Sequence, residues 1–390
     1  MIFDPQAATD AHLEALSAAD LALARDYTTG NHWLILTGLI VSALITWLIV
    51  KSGALDWMFN KVSERWPNLR VFLVAVLYSL VSSLLTLPYS IYTDWWRESE
   101  YGRTSQPLGD YLAQHAIEIV LASILGAVFF IGLYFLLRRT GNFWWAWAGG
   151  LVATTMAVFL LFGPVLIEPL FNDFKPVPEG EVRDAVLKLA AEADIPADRI
   201  FVFDGSRQSN NFTANVSGIG GAARIAISDV ALGEASLDEV KAVTGHEIGH
   251  YVLGHVWRQV AVLSLLAVIV FLLTARTYPF FARAFGTNAP IVDVRGLPIL
   301  LFVVGLFSTM AQPAINTLIR VGEQEADDYS MVTVGLPDAL ASALVKTAEY
   351  RYPLAGPVEE AIFYTHPTVR NRVLKAMEWK AANQAGETDK

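Results

Sequence analysis

The chain has 390 residues, 54% of them hydrophobic and 12% aromatic, and a mean hydropathy of +0.42, which is too apolar for an ordinary water-soluble enzyme and reads as a polytopic membrane protein. A formal charge of −10 offers no basic footprint for nucleic acid and removes that partner class. The absence of cysteine excludes disulfides and thiolate metal sites, so any metal has to be held by histidine and carboxylate.

Residues 1–30 are polar and acidic, with a short amphipathic piece over 11–25. No basic segment or small-residue cleavage pattern precedes the first apolar run, so 33–50 reads as a retained span and not as a removable signal. Three further runs, 71–93, 116–137 and 143–167, are each long enough to cross about 30 Å of hydrocarbon. Together the four spans make an N-terminal membrane domain over 1–167. Trp144, Trp145 and Trp147 suit an interfacial belt or a packed core equally. Ser79, Ser82, Ser83 and Thr86 recur at helical spacing and fit close helix packing better than a cavity lining. His115 and Glu118, ionisable at the start of the third span, call for protein or water beside them.

At residue 168 the composition changes, and 168–258 reads as the first part of a catalytic domain. Val182, Val186, Leu189 and Ala190 mark one face of a helix over 181–193. Short β-rich runs at 200–203, 212–217 and 224–228, separated by Gly- and Asn-rich turns, predict a small sheet whose edge can pair with an extended peptide. Ser236 and Glu239 form a capping box that starts the next helix, with Leu237, Val240, Val243 and Ile248 on its apolar face. Inside that helix lies His246-Glu247-Ile248-Gly249-His250. Residues four apart on a helix stand one above the other, so His246 and His250 can aim two imidazoles at one zinc ion. Glu247 sits beside them as the base that takes a proton from a metal-bound water. The helix is expected to run on through His255 and Arg258 into a fifth span at 260–275, with the sixth at 298–319.

The third ligand comes from the C-terminal part of the catalytic domain, 320–390. Glu323 and Asp327 are four apart, so Glu323 can bind the metal while Asp327 orients His246 from behind. Glu325 competes for the ligand role but does not share a helical face with Asp327. Gln312, Asn316 and Arg320 on the last span face either the interior or a neighbouring helix. A transporter or scaffold holding a structural metal is the opposing reading, and it leaves Glu247 and an open coordination position without a purpose.

Glu-x-x-x-Asp following His-Glu-x-x-His resembles the gluzincin pattern, and further segments are similar to the type I CAAX prenyl proteases. These are 87–92, 101–106, the run Glu168-Pro169-Leu170-Phe171-Asn172-Asp173-Phe174-Lys175-Pro176, and His366-Pro367 through Arg372. The resemblance implies an α-helical polytopic membrane protein with a gluzincin-like α+β zinc metalloprotease domain, its helices enclosing a water-filled chamber. It implies one Zn²⁺ per chain on His246, His250 and Glu323, with His366 and Arg372 near the metal, where a protonated side chain would assist substrate or transition state. The implied partners are the lipid bilayer and peptide or protein substrates, including prenylated proteins that lose a C-terminal tripeptide. A prenyl-independent role in clearing membrane proteins is the alternative. Two features depart from the family pattern: about six spans are legible where the family has seven, and Thr213-Ala214 stands where the family has Asn-Ala. The resemblance implies a cytosolic catalytic side, whereas basic residues on both sides of the spans leave orientation open by charge alone.

Overall fold

The computed structural model describes residues 3–211, 213–218, 223–348 and 351–388. A helix rises 1.5 Å per residue, so crossing the hydrocarbon takes about 20 residues. Among the described residues six helices are long and apolar enough to do so. The chain begins with α1 (Pro5–Leu13), capped by Asp4, and α2 (Ala18–Ser52), which starts at a Ser17/Asp20 capping box and ends at a left-handed Gly53. The eight-residue α3 (Ala54–Lys61) leads to α4 (Pro67–Ser90). Pro88 lacks the donor of a regular turn, and just beyond it the backbone continues through a π-helical stretch, Ile91–Trp96, into the single turn α5 (Arg97–Glu100). Next come α6 (Leu108–Arg139) and α7 (Trp144–Phe162), the latter running into a second π-helical stretch at Gly163–Ile167. At the start of α6, His115 and Glu118 pair with each other at 3.1 Å.

Residues 174–228 carry a four-stranded sheet: β1 (Phe174–Pro176), β2 (Ile200–Phe203), β3 (Ala214–Ser217) and β4 (Arg224–Ser228), with α8 (Glu181–Glu192) between β1 and β2. The order is β1-β2-β4-β3, with β2 and β4 parallel and the outer strands antiparallel to their neighbours. Strand β1 goes unmarked in the sequence because three residues are too few for alternation to register. Phe212, placed in the third strand by the sequence pattern, lies outside the described residues. Beyond the sheet come α9 (Asp229–Glu234), α10 (Leu237–Val252), α11 (His255–Ala284), α12 (Leu297–Val334), α13 (Pro337–Lys346), α14 (Pro357–Phe363) and α15 (Val369–Thr388).

Three apolar cores follow from this layout. Ile49, Leu133, Tyr134, Leu297 and Leu300 help close the core of the helix bundle. Val186, Ile200, Ile225, Ile227 and Ile248 join the sheet to α8 and α10. Ala242, Met331, Leu340, Leu344 and Val373 join α10, α12, α13 and α15. Helix α10 thus lies between two cores, which fixes its rotation and the direction of its histidines.

One expectation changes and one open choice narrows. The metal-motif helix does not continue into the fifth span: Gly254 takes φ of 67°, α10 ends, and α11 starts afresh at His255. A left-handed glycine stops a helix while its neighbours remain good helix formers, so periodicity hides the break. The polar face of α12 is tied to protein partners, as the helix-bridging alternative has it. Gln312 donates to Asn316 at 2.8 Å, Asn316 donates to the Ile362 carbonyl at 2.7 Å, and Arg320 donates to the Glu360 and Tyr364 carbonyls at 2.9 and 2.5 Å. These bonds fasten α14 and the segment leading to His366 against the last span.

Candidate metal centre

Helices α10 and α12 approach closely because the residue facing α12 at the critical turn is glycine. A Cβ on Gly249 would stand 3.1 Å from the Ala326 Cα and 3.1 Å from the Tyr329 Cβ. Ser330 adds a 2.6 Å hydrogen bond to the Ala242 carbonyl. That contact delivers Glu323 to the two histidines. The Nε2 atoms of His246 and His250 are 3.1 Å apart, His246 Nε2 is 3.3 Å from Glu323 Oε2, and His250 Nε2 is 3.4 Å from Glu323 Oε1. The three residues offer one ligand atom each within 4.8 Å of one another.

The residues themselves ask for positive charge at this point. The Glu323 carboxylate is buried among nitrogens, with His246 Nε2 3.3 Å and His366 Nε2 3.2 Å from Oε2, and two ring nitrogens face each other beside it. Were protons alone to supply the charge, burial would oppose ionising His246, but hydrogen bonds to Asp327 and Glu323 outweigh it and raise the imidazole to about 10. A divalent cation meets the same demand, and two imidazoles with one carboxylate suit a first-row divalent ion.

Around this cluster the other singled-out residues fall into place. Asp327 Oδ1 lies 2.9 Å from His246 Nδ1, the nitrogen turned away from the cluster. Arg372, on α15, grips Asp327 with two bonds of 2.7 Å, so its guanidinium acts through that carboxylate, although Nη2 also reaches within 3.6 Å of Glu323. His366 Nε2 is 3.2 Å from Glu323 Oε2. Burial, helped by Arg351, pushes His366 down to about 3, which favours the neutral imidazole over the protonated form. Glu325 points out of the cluster and pairs with His255 at 2.9 Å and Arg258 at 2.7 Å, which removes it as a rival ligand. Glu247 lines a 170 Å³ cavity with His246, Glu323, Thr213 and Ala214. Burial pushes its carboxyl above the ordinary range, with the two imidazoles pulling the other way.

Sequence reasoning misses Arg351, Leu340 and Leu344 in that cavity wall. The leucines carry an ordinary core pattern, and Arg351 follows α13 outside any helix or strand, where no periodicity can mark it. A second cavity of 390 Å³ opens beside His250, lined mainly by apolar side chains that include Phe159, Pro164, Ile167, Val216 and Trp257. Strand β3 has its Thr213–Ala214 end at the first cavity and its Val216–Gly218 end at the second.

Known proteins resemble this chain along most of its length. The family model "Peptidase family M48" matches residues 176–380, and "CAAX prenyl protease N-terminal, five membrane helices" matches residues 6–173. Over the latter stretch four of the six candidate spans lie, with the short α3 between the first two. A Bacillus subtilis protein named "Uncharacterized metalloprotease YhfN" is 27% identical over 96% of this chain and 89% of its own length. An Arabidopsis thaliana "CAAX prenyl protease 1 homolog" is 28% identical over 85% of this chain and 81% of its own. The crystal structure of S. mikatae Ste24p shares the fold, with a TM-score of 0.67 at 23% identity over 86% of this chain and 80% of that one.

Proposed function

This chain belongs to peptidase family M48, and from that premise we propose that its metal is zinc, held by His246, His250 and Glu323, and that its substrates include proteins with a lipid near the scissile bond. Membership makes it an integral-membrane metalloprotease. The observation that carries the zinc reading is the gathering of two Nε2 atoms and a buried carboxylate within ligand distance of one another, next to a second carboxylate that lines a cavity. Zinc bound there supplies a Lewis acid for the carbonyl and a water acidified toward neutral pH.

The chain's own residues do the rest. Glu247 takes the water's proton and passes it to the leaving amine. Strand β3 is one of the two outer strands of the sheet, so its backbone can pair with an extended peptide and lead it past the ligands. Neutral His366 offers an N–H to a substrate oxygen. Asp327, held by Arg372, fixes the ring of His246.

Lipid preference is supported by the apolar cavity beside His250, at the other end of β3 from Glu247's cavity, and by relatives named as CAAX prenyl proteases. The test is metal analysis of the purified protein together with cleavage of a farnesylated peptide and its unmodified twin. Zinc near one per chain, chelator-sensitive cleavage and faster turnover of the farnesylated peptide are expected. Equal rates would remove the prenyl requirement and leave a membrane protease of broader range. Cleavage that survives full metal removal would sink the zinc reading.

A further inference from the structure

The two imidazoles of the centre are anchored by unlike groups. Behind His246 stands a carboxylate, Asp327. Behind His250 stands another imidazole: His250 Nδ1 is 2.9 Å from His255 Nδ1, with the rings edge to face at 78°. His255 is 1% exposed, and its far nitrogen, Nε2, is buried with no hydrogen bond of regular geometry but lies 2.9 Å from Glu325 Oε2 as an ion-pair contact. Arg258 holds the same oxygen at 2.7 Å. The break at Gly254 is what turns His255, the first residue of α11, back toward α10. Gly322 on α12 leaves the room, since a Cβ there would crowd His255 Nδ1 at 3.4 Å and Arg258 Nη2 at 3.3 Å.

We propose that His255, backed by Glu325, is the positioning residue of His250. The protons follow from the outside inward. An ionised carboxylate only accepts, so His255 Nε2 carries the hydrogen and its Nδ1 is a bare acceptor. Facing that acceptor, His250 Nδ1 carries a hydrogen, which leaves the His250 Nε2 lone pair for the metal. His255 therefore sets both the ring angle and the tautomer of the second ligand. Asp327 does the same for the first. The inference rests on the zinc-centre reading above.

The test is zinc affinity of the full-length protein in detergent, read by competition with a chromogenic chelator, with thermal unfolding of each metal-free variant alongside. His255→Leu keeps bulk but removes the acceptor, and it should weaken zinc binding about 10- to 100-fold. His255→Asn puts a carbonyl oxygen near the Nδ1 position and should restore most of that affinity. Glu325→Gln, at a half-exposed site, should give a smaller loss in the same direction. Wild-type affinity in His255→Leu, or equal weakening by Leu and Asn, overturns the proposal. His250→Ala separates the two levels of failure. If it loses zinc while His255→Leu keeps it, only the positioning role is wrong. If His250→Ala binds zinc like the wild type, the metal centre itself is misplaced and this inference falls with it.

Discussion

Helices α7 and α12 both cross the bundle, yet 6% of the most apolar window around α7 is buried inside the protein against 39% for that of α12. Helix α7 offers its surface mainly outward, and its membrane environment asks only for apolar character. Helix α12 begins as a span and, within one unbroken element, becomes half of the metal site: Glu323, Glu325, Asp327 and Ser330 all face protein partners. Composition specifies the first kind of helix. Named contacts specify the second, so single substitutions should be tolerated along α7 and punished along the α10–α12 contact.

The strongest test of that contrast is removal of a ligand. Glu323→Ala should lose zinc and drop peptide cleavage to background; zinc retained at wild-type affinity would break the assignment. Glu247→Gln comes next, expected to keep zinc and lose about 10²- to 10⁴-fold in kcat, the usual worth of a positioned general base. Unchanged turnover there would mean that another group takes the water's proton. Asp327→Asn should cost about 10- to 100-fold in zinc affinity or activity, because the amide can still hydrogen-bond but no longer brings charge to His246 or a fork acceptor to Arg372. Full affinity and activity in that variant would reduce Asp327 to packing.

The contrast also explains what the sequence discloses. Spans announce themselves because hydrocarbon imposes a length, and the membrane class and the six long helices follow from apolar runs alone. His246 and His250, and likewise Glu323 and Asp327, are legible because each pair occupies one face of one helix, where spacing is geometry, and Glu247 is legible as the carboxylate next to the first histidine. His255 is not legible by that rule. It is five residues from His250, off the helical face, and reaches it only through the left-handed turn at Gly254. The lowered pKa of His366 and the commitment of Arg372 to Asp327 depend on burial and on partners from other helices, which no local pattern encodes. The face formed by Gln312, Asn316 and Arg320 shows its period in the sequence but not its partners, the backbone carbonyls some 40 residues further on.

A pair of glycine substitutions sharpens the comparison at smaller scale. Gly249→Ala puts a methyl 3.1 Å from the Ala326 Cα, so α10 and α12 should separate at a cost of about 1–3 kcal/mol, with weaker zinc binding. Gly150→Ala, on α7, meets nothing within 4 Å and should leave melting temperature and activity unchanged. Equal effects from the two would mean that the close approach of α10 to α12 does not govern the site.

The smallest expected effect lies at the opposite end of α10, where Glu239 closes the capping box on the Ser236 N–H at 2.7 Å and receives Ser342 and Lys346 from α13 at 2.7 and 2.8 Å. Burial works to raise this carboxyl, but the bonds from Lys346, Ser342 and Ser236 win and hold it below its ordinary value. A folded pKa below the unfolded one means that the stabilisation is complete above the unfolded value and is lost as pH falls through the folded value. Glu239→Gln should therefore lower the melting temperature most near neutral pH, and the gap to wild type should close in acid, where the wild-type carboxyl is itself neutral. A gap of constant size across that range would show that Glu239 anchors α10 to α13 by shape and hydrogen bonding, with its charge contributing nothing.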